Sequence, residues 1–525
     1  MVTWAVYLVS PRIAGVHRIH LTKIYRYVII EAQWDVPSLK EISMIGFLNK
    51  NKYWIIIILL SLIVRLIPFV CVARHPERAF GEDSYLYHHI AVDLVKHQSF
   101  SDASQTPEKG ARFQGLTFKL SAFHDKKLSR LPDSLRTPLY PFYLATIYTI
   151  FGYKPYLAIL FQILIDVFTC IFTYKIGTIL FSRKIGFVAA ILVAIDLSSI
   201  VYSNCLGTET LFTFTLITSV WFLVKFFLTT RKVNLVFAGI FLGLTTLCRP
   251  ISLYLFLPII LVFFLKYKLN LKKLSLMYSI FIIVFLLTTS TWILRNYLVF
   301  GVPKLSSLMG YQMLLYRYGP MEAEKKGVDF KIIKQKLTNE IQEMITRENL
   351  APFEASQRCE KLGMQKILND PVPYLQAHLK GTIKIFLGHS LEDIYLLFGG
   401  KYYSSSALSI FLETKDMGKS VSALFKTDLL NISLLLSILI LLLLIYLFAG
   451  YGVWKMIKDN NKVILVLFIV VIAYFILITG PVGYARFRLP IIPYLMLLTS
   501  YGFCGFIGSL RQCPGTGNKL PREEK

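Results

Sequence analysis

Apolar and polar positions alternate on a long scale along this chain. Runs of Ile, Leu, Val and Phe about twenty residues long are separated by short, Lys- and Arg-bearing links. Roughly 20 apolar residues are needed for a helix to cross a bilayer. The runs predict spans at about 53–73, 156–181, 186–204, 207–229, 233–248, 251–267, 274–294, 427–450, 462–480 and 488–508. A fifteen-residue apolar stretch at 138–152 has Pro138 and Pro141 in its first turn and is short for a crossing, so it reads as an interfacial or re-entrant helix. The pattern predicts an all-α polytopic membrane protein of about 10–11 membrane helices.

Two long polar regions interrupt this pattern, a loop at 74–137 and a region at 295–426. In the second, residues 321–368 carry Ile, Leu and Met at helical spacing among charges, and Asn369-Asp370-Pro371 stops that pattern. Residues 372–398 read as a further amphipathic helix lying on the membrane. The chain therefore divides into an N-terminal segment 1–52, a membrane module 53–294 holding the first external loop, the external region 295–426, C-terminal membrane helices 427–508 and a basic tail 509–525. Residues 1–43 lack the long apolar core of a signal peptide, and from Met44 the sequence reads like an ordinary start.

Charge orients the chain. The net charge of +26 would point to nucleic acid in a soluble protein. Here only 17% of residues are charged and 55% are hydrophobic, and the basic residues cluster in short links between spans. That is the signature of cytoplasmic loops, so nucleic acid is not expected as a partner. Asn49–Lys52, Arg183-Lys184, Arg231-Lys232, Lys266–Lys273, Lys455–Lys462 and the tail all fall inside when 138–152 does not cross. Both long polar regions then lie outside, in the extracytoplasmic space of a plasma membrane. The seven Cys residues show no CxxC or Cys/His ligand spacing, so neither a disulfide framework nor a zinc site is expected.

The stretch Gly81-Glu82-Asp83-Ser84-Tyr85-Leu86-Tyr87 opens the first external loop. Asp83 reads alone as a helix N-cap, and Leu86, Ile90 and Leu94 form a stripe fit to face the membrane surface. Other unusual charges share this level: Arg136 before the partial helix, Glu209 at the start of a span, Arg249 at the end of one, Arg295 at the end of another, and Arg486 and Arg488 opening the last. A lone Arg at a helix end commonly snorkels to headgroups. Snorkelling leaves unexplained why these lie outside, against the positive-inside tendency. The fixed donor fork of Arg suits a phosphate or diphosphate. Carboxylates and arginines at one lipid–water boundary fit glycosyl transfer from a lipid phosphate, whose leaving group needs cations rather than an acid, while the acceptor hydroxyl needs one carboxylate base. Asp166 reads as paired inside the bundle, and His88 and His89 as a solvent-facing pair.

The ordered pieces GEDSYLYHHIA, RTPLYPFYLATIYTIFG, ILFSRKIGFVAAIL, GTETLF, GLTTLCRP, WILRNYLVFG, ILNDPVPYL and GYARFRLPIIPYL cover most of residues 53–508. This set resembles the GT-C-fold, lipid-phosphate-sugar-dependent glycosyltransferases, in particular glycosyltransferase family 39. That group includes the protein O-mannosyltransferases and the aminoarabinose lipid A transferases. The resemblance implies inverting transfer of a sugar from a polyprenyl-phosphate-linked donor to a hydroxyl on a lipid, glycan or protein, on the extracytoplasmic face. It implies a catalytic carboxylate at Asp83, acting as general base and aided by Glu82, in the order Glu-Asp where the family often has Asp-Glu. Tyr87, Arg136, Glu209, Arg249, Arg295, Arg486 and Arg488 become substrate-binding candidates. No cofactor is expected, and no DxD motif stands near Asp83 to indicate a divalent metal. A lipid-linked glycan polymerase or ligase, and a lipid-linked-sugar flippase or transporter, are the alternative readings.

Overall fold

A computed structural model describes residues 44–81, 83–101, 132–268, 270–400, 418 and 429–511. Glu82 lies outside the described residues. The chain separates into two units, Met1–Ile55 and Ile56–Lys525. Of the first, the described part is the opening of one helix, α1 (Met44–Arg74).

In the second unit the helices follow the expected order. After α1 come α2 (Ser84–His97), α3 (Leu139–Phe151), α4 (Pro155–Leu180), α5 (Arg183–Ala194), α6 (Leu197–Ser203), α7 (Glu209–Thr229), α8 (Lys232–Cys248), α9 (Phe256–Tyr267) and α10 (Leu271–Phe300). After α10 come α11 (Leu308–Gln312), a π-helical turn at Met313–Tyr318, α12 (Gly319–Lys326), α13 (Phe330–Glu348), α14 (Pro352–Asn369), α15 (Pro371–Leu387) and α16 (Leu391–Leu397). The chain closes with α17 (Leu429–Lys458), α18 (Lys462–Thr479), a 3-10 turn at Ala485–Ile491 and α19 (Ile492–Arg511).

Among the described residues eight helices are long and apolar enough to cross a membrane, and the bent pair α5–α6 makes a ninth. The expected span at 186–204 is broken by 58°. Its cause is local: Asp196 Oδ2 accepts the Ser199 backbone amide at 2.8 Å and starts α6 as a new helix. The expected span at 233–248 is the shorter α8, packed between α7 and α10. Residues 139–151 form the short α3, whose first turn accommodates Pro138 and Pro141 and which ends at Gly152 (φ 78°).

Close helix contact inside the bundle depends on small residues. A Cβ on Gly177 of α4 would come within 2.5 Å of Gly186 Cα on α5. One buried ion pair joins two helices of the bundle. Arg65 of α1, fully buried, donates from Nε to Asp166 Oδ2 of α4 at 2.6 Å and from Nη1 to the Ser61 and Ala194 carbonyls. Asp166 is thus the expected internal pair, with Arg65 as the partner that sequence left unnamed.

The helices between Leu308 and Asn369 bury their own apolar cluster, with Leu315, Leu337, Ile341 and Cys359 at its centre. Their helical pattern ends where Asn369-Asp370-Pro371 predicted. The single helix expected at 372–398 is divided into α15 and α16, because Ser390 takes a left-handed backbone (φ 50°) after Gly388. The Leu86–Ile90–Leu94 stripe also differs from expectation. Ile90 is fully buried in a cluster with Phe100, Leu247, Trp292 and Leu305, and Leu94 packs against it, so α2 rests on protein rather than lipid.

Candidate active site

The turn before α2 is fixed from both sides. The Gly81 amide donates to Ser84 Oγ at 2.9 Å, and Ser84 Oγ donates to the Leu206 carbonyl at 2.5 Å. The Leu206 amide in turn donates to the Ala79 carbonyl at 2.9 Å. The segment that opens α2 is thereby joined to the Asn204–Thr208 link that leads into Glu209. That link is held from within the bundle by Gln162, whose Nε2 donates to the carbonyls of Tyr202, Ser203 and Cys205. Asn204 Nδ2 donates to the Arg65 carbonyl at 3.2 Å.

Asp83 occupies the N-cap position of α2, but its side chain caps no backbone amide. Its Oδ1 instead accepts from Arg136 Nη2 at 2.8 Å. The Asp83 side chain is 53% exposed, so a ligand can reach it, whereas Arg136 is buried. Arg136 is positioned by its own amide, which donates to Asp133 Oδ1 at 2.7 Å, and by stacking over the Tyr87 ring at 5.3 Å. The next residue, Thr137, donates to the Cys248 carbonyl at 2.9 Å and ties this strand of chain to the end of α8.

At that end stands Arg249, whose Nη1 donates to Glu209 Oε1 at 2.8 Å. The guanidinium of Arg486 completes the group, resting over the rings of Phe487 at 5.2 Å and Tyr484 at 5.5 Å. Its Nε is buried and has no hydrogen-bond partner among the described residues, and the same holds for Arg136 Nε. Arg486 is within electrostatic reach of both Asp83 and Glu209. Arg136 beside Asp83 holds its carboxyl below the usual carboxylate range against the effect of burial, with Arg486 and Arg249 adding to the pull. Burial pushes the Tyr87 hydroxyl up to about 12, so it stays protonated as a donor.

Six of the sequence candidates therefore meet at one end of the bundle: Asp83, Tyr87, Arg136, Glu209, Arg249 and Arg486. Two do not. Arg295 donates from Nη1 to the Asp133 carbonyl and to Asn296, and from Nη2 to the Phe100 carbonyl, and its guanidinium stacks on Trp292, Phe100 and Phe300. It ties the Phe100 and Asp133 backbones to the end of α10. Arg488 is buried and donates to the Ile385 and Phe386 carbonyls, to Tyr446 and to Ser198, so it locks α15 to the bundle. Both occupy helix-end positions, and sequence alone did not separate them from Arg486.

His88 also departs from the expected solvent-facing pair. Its Nδ1 lies 2.8 Å from the Tyr148 hydroxyl, its ring packs on Phe80, and burial lowers its pKa to about 4. Among the described residues no three His, Cys, Asp or Glu side chains gather as a metal-binding group.

Residues 135–294 match the family described as dolichyl-phosphate-mannose-protein mannosyltransferase. No curated protein is significantly similar to the chain. Among solved structures, the oligosaccharyltransferase of Archaeoglobus fulgidus, tethered to an acceptor peptide, is 16% identical with a TM-score of 0.50, over 89% of this chain and 51% of its own. The same organism's AglB, in complex with an inhibitory peptide and a dolichol-phosphate, is 14% identical with a TM-score of 0.47 over 90% of this chain and 52% of its own. ArnT from Cupriavidus metallidurans, bound to undecaprenyl phosphate, is 11% identical with a TM-score of 0.37 over 86% and 78%. The chain spans about half the length of the oligosaccharyltransferases it matches. The chain is a polytopic helical membrane protein of the GT-C fold that carries, over residues 135–294, the signature of a glycosyltransferase family, the dolichyl-phosphate-mannose-protein mannosyltransferases.

Proposed function

We propose that this chain transfers a sugar from a polyprenyl-phosphate-linked donor to a hydroxyl on a lipid, glycan or protein acceptor, with inversion, at the extracytoplasmic face of the plasma membrane. The observation that carries this reading is Arg486, a guanidinium with a buried, partnerless Nε beside a ligand-accessible carboxylate, Asp83.

Asp83 Oδ2 takes the acceptor proton while the acceptor oxygen forms its bond to the anomeric carbon from the face opposite the phosphate. The bond from that carbon to the phosphate oxygen breaks, and polyprenyl phosphate leaves with the electron pair. A phosphate leaving group, with a second pKa of about 6, needs no general acid. Arg486 and Arg249 supply the positive charge that stabilises it as the bond breaks. Arg136 holds Asp83 ionised and oriented through Oδ1. Glu209 keeps Arg249 extended, and Tyr87 supports Arg136 from below with its ring. Glu82, next to Asp83 in sequence, is the second carboxylate candidate.

The face follows from the links. Arg231-Lys232 joins α7 to α8 at the end opposite Glu209 and Arg249, one helix length away. Basic links favour the cytoplasmic side, which supports an extracytoplasmic Asp83. The test is binding of dolichyl phosphate to the full-length chain in lipid nanodiscs. Arg486→Gln should weaken it about tenfold, the loss expected for one charge-assisted hydrogen bond. Unchanged binding would count against the phosphate site.

A further inference from the structure

Late in the external region, α16 carries a carboxylate that no part of the proposed mechanism uses. Asp393 Oδ2 accepts from the Tyr202 hydroxyl at 2.8 Å, and Oδ1 has no partner among the described residues. The residue is half-buried, and the Arg486 guanidinium lies within electrostatic reach of it. Burial raises the Asp393 carboxyl above its usual range, with Tyr202 and Arg486 working against that rise.

The fold brings this pair to the segment that bears Asp83. Tyr202 lies in the last turn of α6, just before the Asn204–Thr208 link that holds Ala79 and Ser84. The Ser390 hydroxyl, at the start of α16, lies 3.1 Å from that of Ser198 on α6. Beyond α16, Gly399 (φ 79°) lies so close to Arg78 that a Cβ there would fall 2.6 Å from Nη2. Arg78 belongs to the turn Pro76–Ala79 that immediately precedes Gly81. Beside Arg486, the ring of Tyr484 is 50% exposed.

We propose that Asp393 and Tyr202, with the exposed ring of Tyr484, form a carbohydrate subsite next to the Arg486 phosphate site. The carboxylate accepts from sugar hydroxyls through Oδ1, Tyr202 fixes its orientation through Oδ2, and the Tyr484 ring offers an apolar face to the C–H side of a pyranose. A site with a positioned carboxylate discriminates by hydroxyl pattern, because a sugar lacking the matching hydroxyl leaves it unpaired. The inference rests on the phosphate site proposed above, and the sugar can be that of the donor or of a glycan acceptor.

The test compares the wild-type chain, Asp393→Asn and Tyr202→Phe in nanodiscs. The probes are dolichyl phosphate, dolichyl-phosphate-mannose, dolichyl-phosphate-glucose and a soluble mannose oligosaccharide. The substitutions should leave dolichyl phosphate binding within about twofold and weaken a sugar-bearing probe about tenfold, the loss of one charge-assisted hydrogen bond. Loss confined to a glycosylated lipid assigns the subsite to the donor, and loss on the soluble glycan assigns it to the acceptor. Equal loss on bare dolichyl phosphate, or no loss on any probe, would overturn the subsite. A wild-type chain that ignores dolichyl phosphate yet loses the soluble glycan on Asp393→Asn would sink the donor-phosphate reading and leave the subsite standing.

Discussion

Arg136 Nη2 and Asp83 Oδ1 lie 2.8 Å apart, joining the start of α2 to the segment that leads into α3. The contact settles how Asp83 is used in this fold: the carboxylate that sequence offered as a helix cap is spent on an arginine instead. A single bond to Nη2 leaves Oδ2 for a ligand, and the ion pair keeps the carboxylate ionised.

That pairing has a pH consequence. The Asp83 pKa is lowered in the folded chain, so its contribution to stability is present above the unfolded value and is lost as pH falls through the folded one. Transfer should accordingly hold its rate into mildly acidic solution. Arg136→Gln should raise the Asp83 pKa and move the acidic limb of the rate profile upward, besides lowering the rate. A limb that stays in place would show that another group sets it.

The Glu209–Arg249 pair is largely buried, so removing one member strands the other. Glu209→Ala should cost about 3 kcal/mol of stability, the lower range for breaking a buried pair. It should also weaken dolichyl phosphate binding, because Arg249 loses its orientation. A melting temperature equal to wild type would mean that water already screens the pair.

Within the bundle, Asp166→Leu leaves fully buried Arg65 without its carboxylate and should destabilise by about 3–5 kcal/mol. The double change Arg65→Leu with Asp166→Leu should recover most of that loss, since an apolar pair of similar volume is commonly tolerated. Unfolding measurements on the four chains of this cycle give the coupling. A double mutant no more stable than Asp166→Leu would point to a role for the Arg65 bonds to Ser61 and Ala194 beyond the ion pair.

Arg486 depends on backbone packing that carries no charge. The link before it contains Gly483 at φ 55°, and a Cβ there would fall 2.6 Å from Gly381 Cα on α15. Gly483→Ala should shift the link and reduce dolichyl phosphate affinity with every charged group still present. Retention of full affinity would show that Arg486 is held by its aromatic neighbours alone.

The order of helices was legible in the sequence because bilayer-length apolar runs follow directly from hydropathy. The one span that broke did so at Asp196, whose capping bond to Ser199 is a local event within an otherwise apolar run. The site was legible in its chemistry but not in its membership. Arg486 and Arg488 are two residues apart and equally plausible in sequence, yet they diverge on the 3-10 turn at Ala485–Ile491: one reaches Asp83 electrostatically and the other is bound by α15 carbonyls. Arg295 has carbonyl and ring partners in the distant segment around Phe100 and Asp133, and hydropathy carries no sign of that meeting. Asp393 and Tyr202 were missed because nearly two hundred residues separate them, and only the α6–α16 contact shows their pairing.

The most direct test replaces Asp83 with Asn in the intact chain, confirms normal membrane levels, and compares mass profiles of envelope lipids, glycans and glycoproteins with wild type. Loss of a positioned base should slow transfer about 10²–10⁴-fold, so one sugar increment should disappear and thereby identify both sugar and acceptor. Profiles identical to wild type from a well-folded Asp83→Asn chain would contradict the account and turn attention to Glu82.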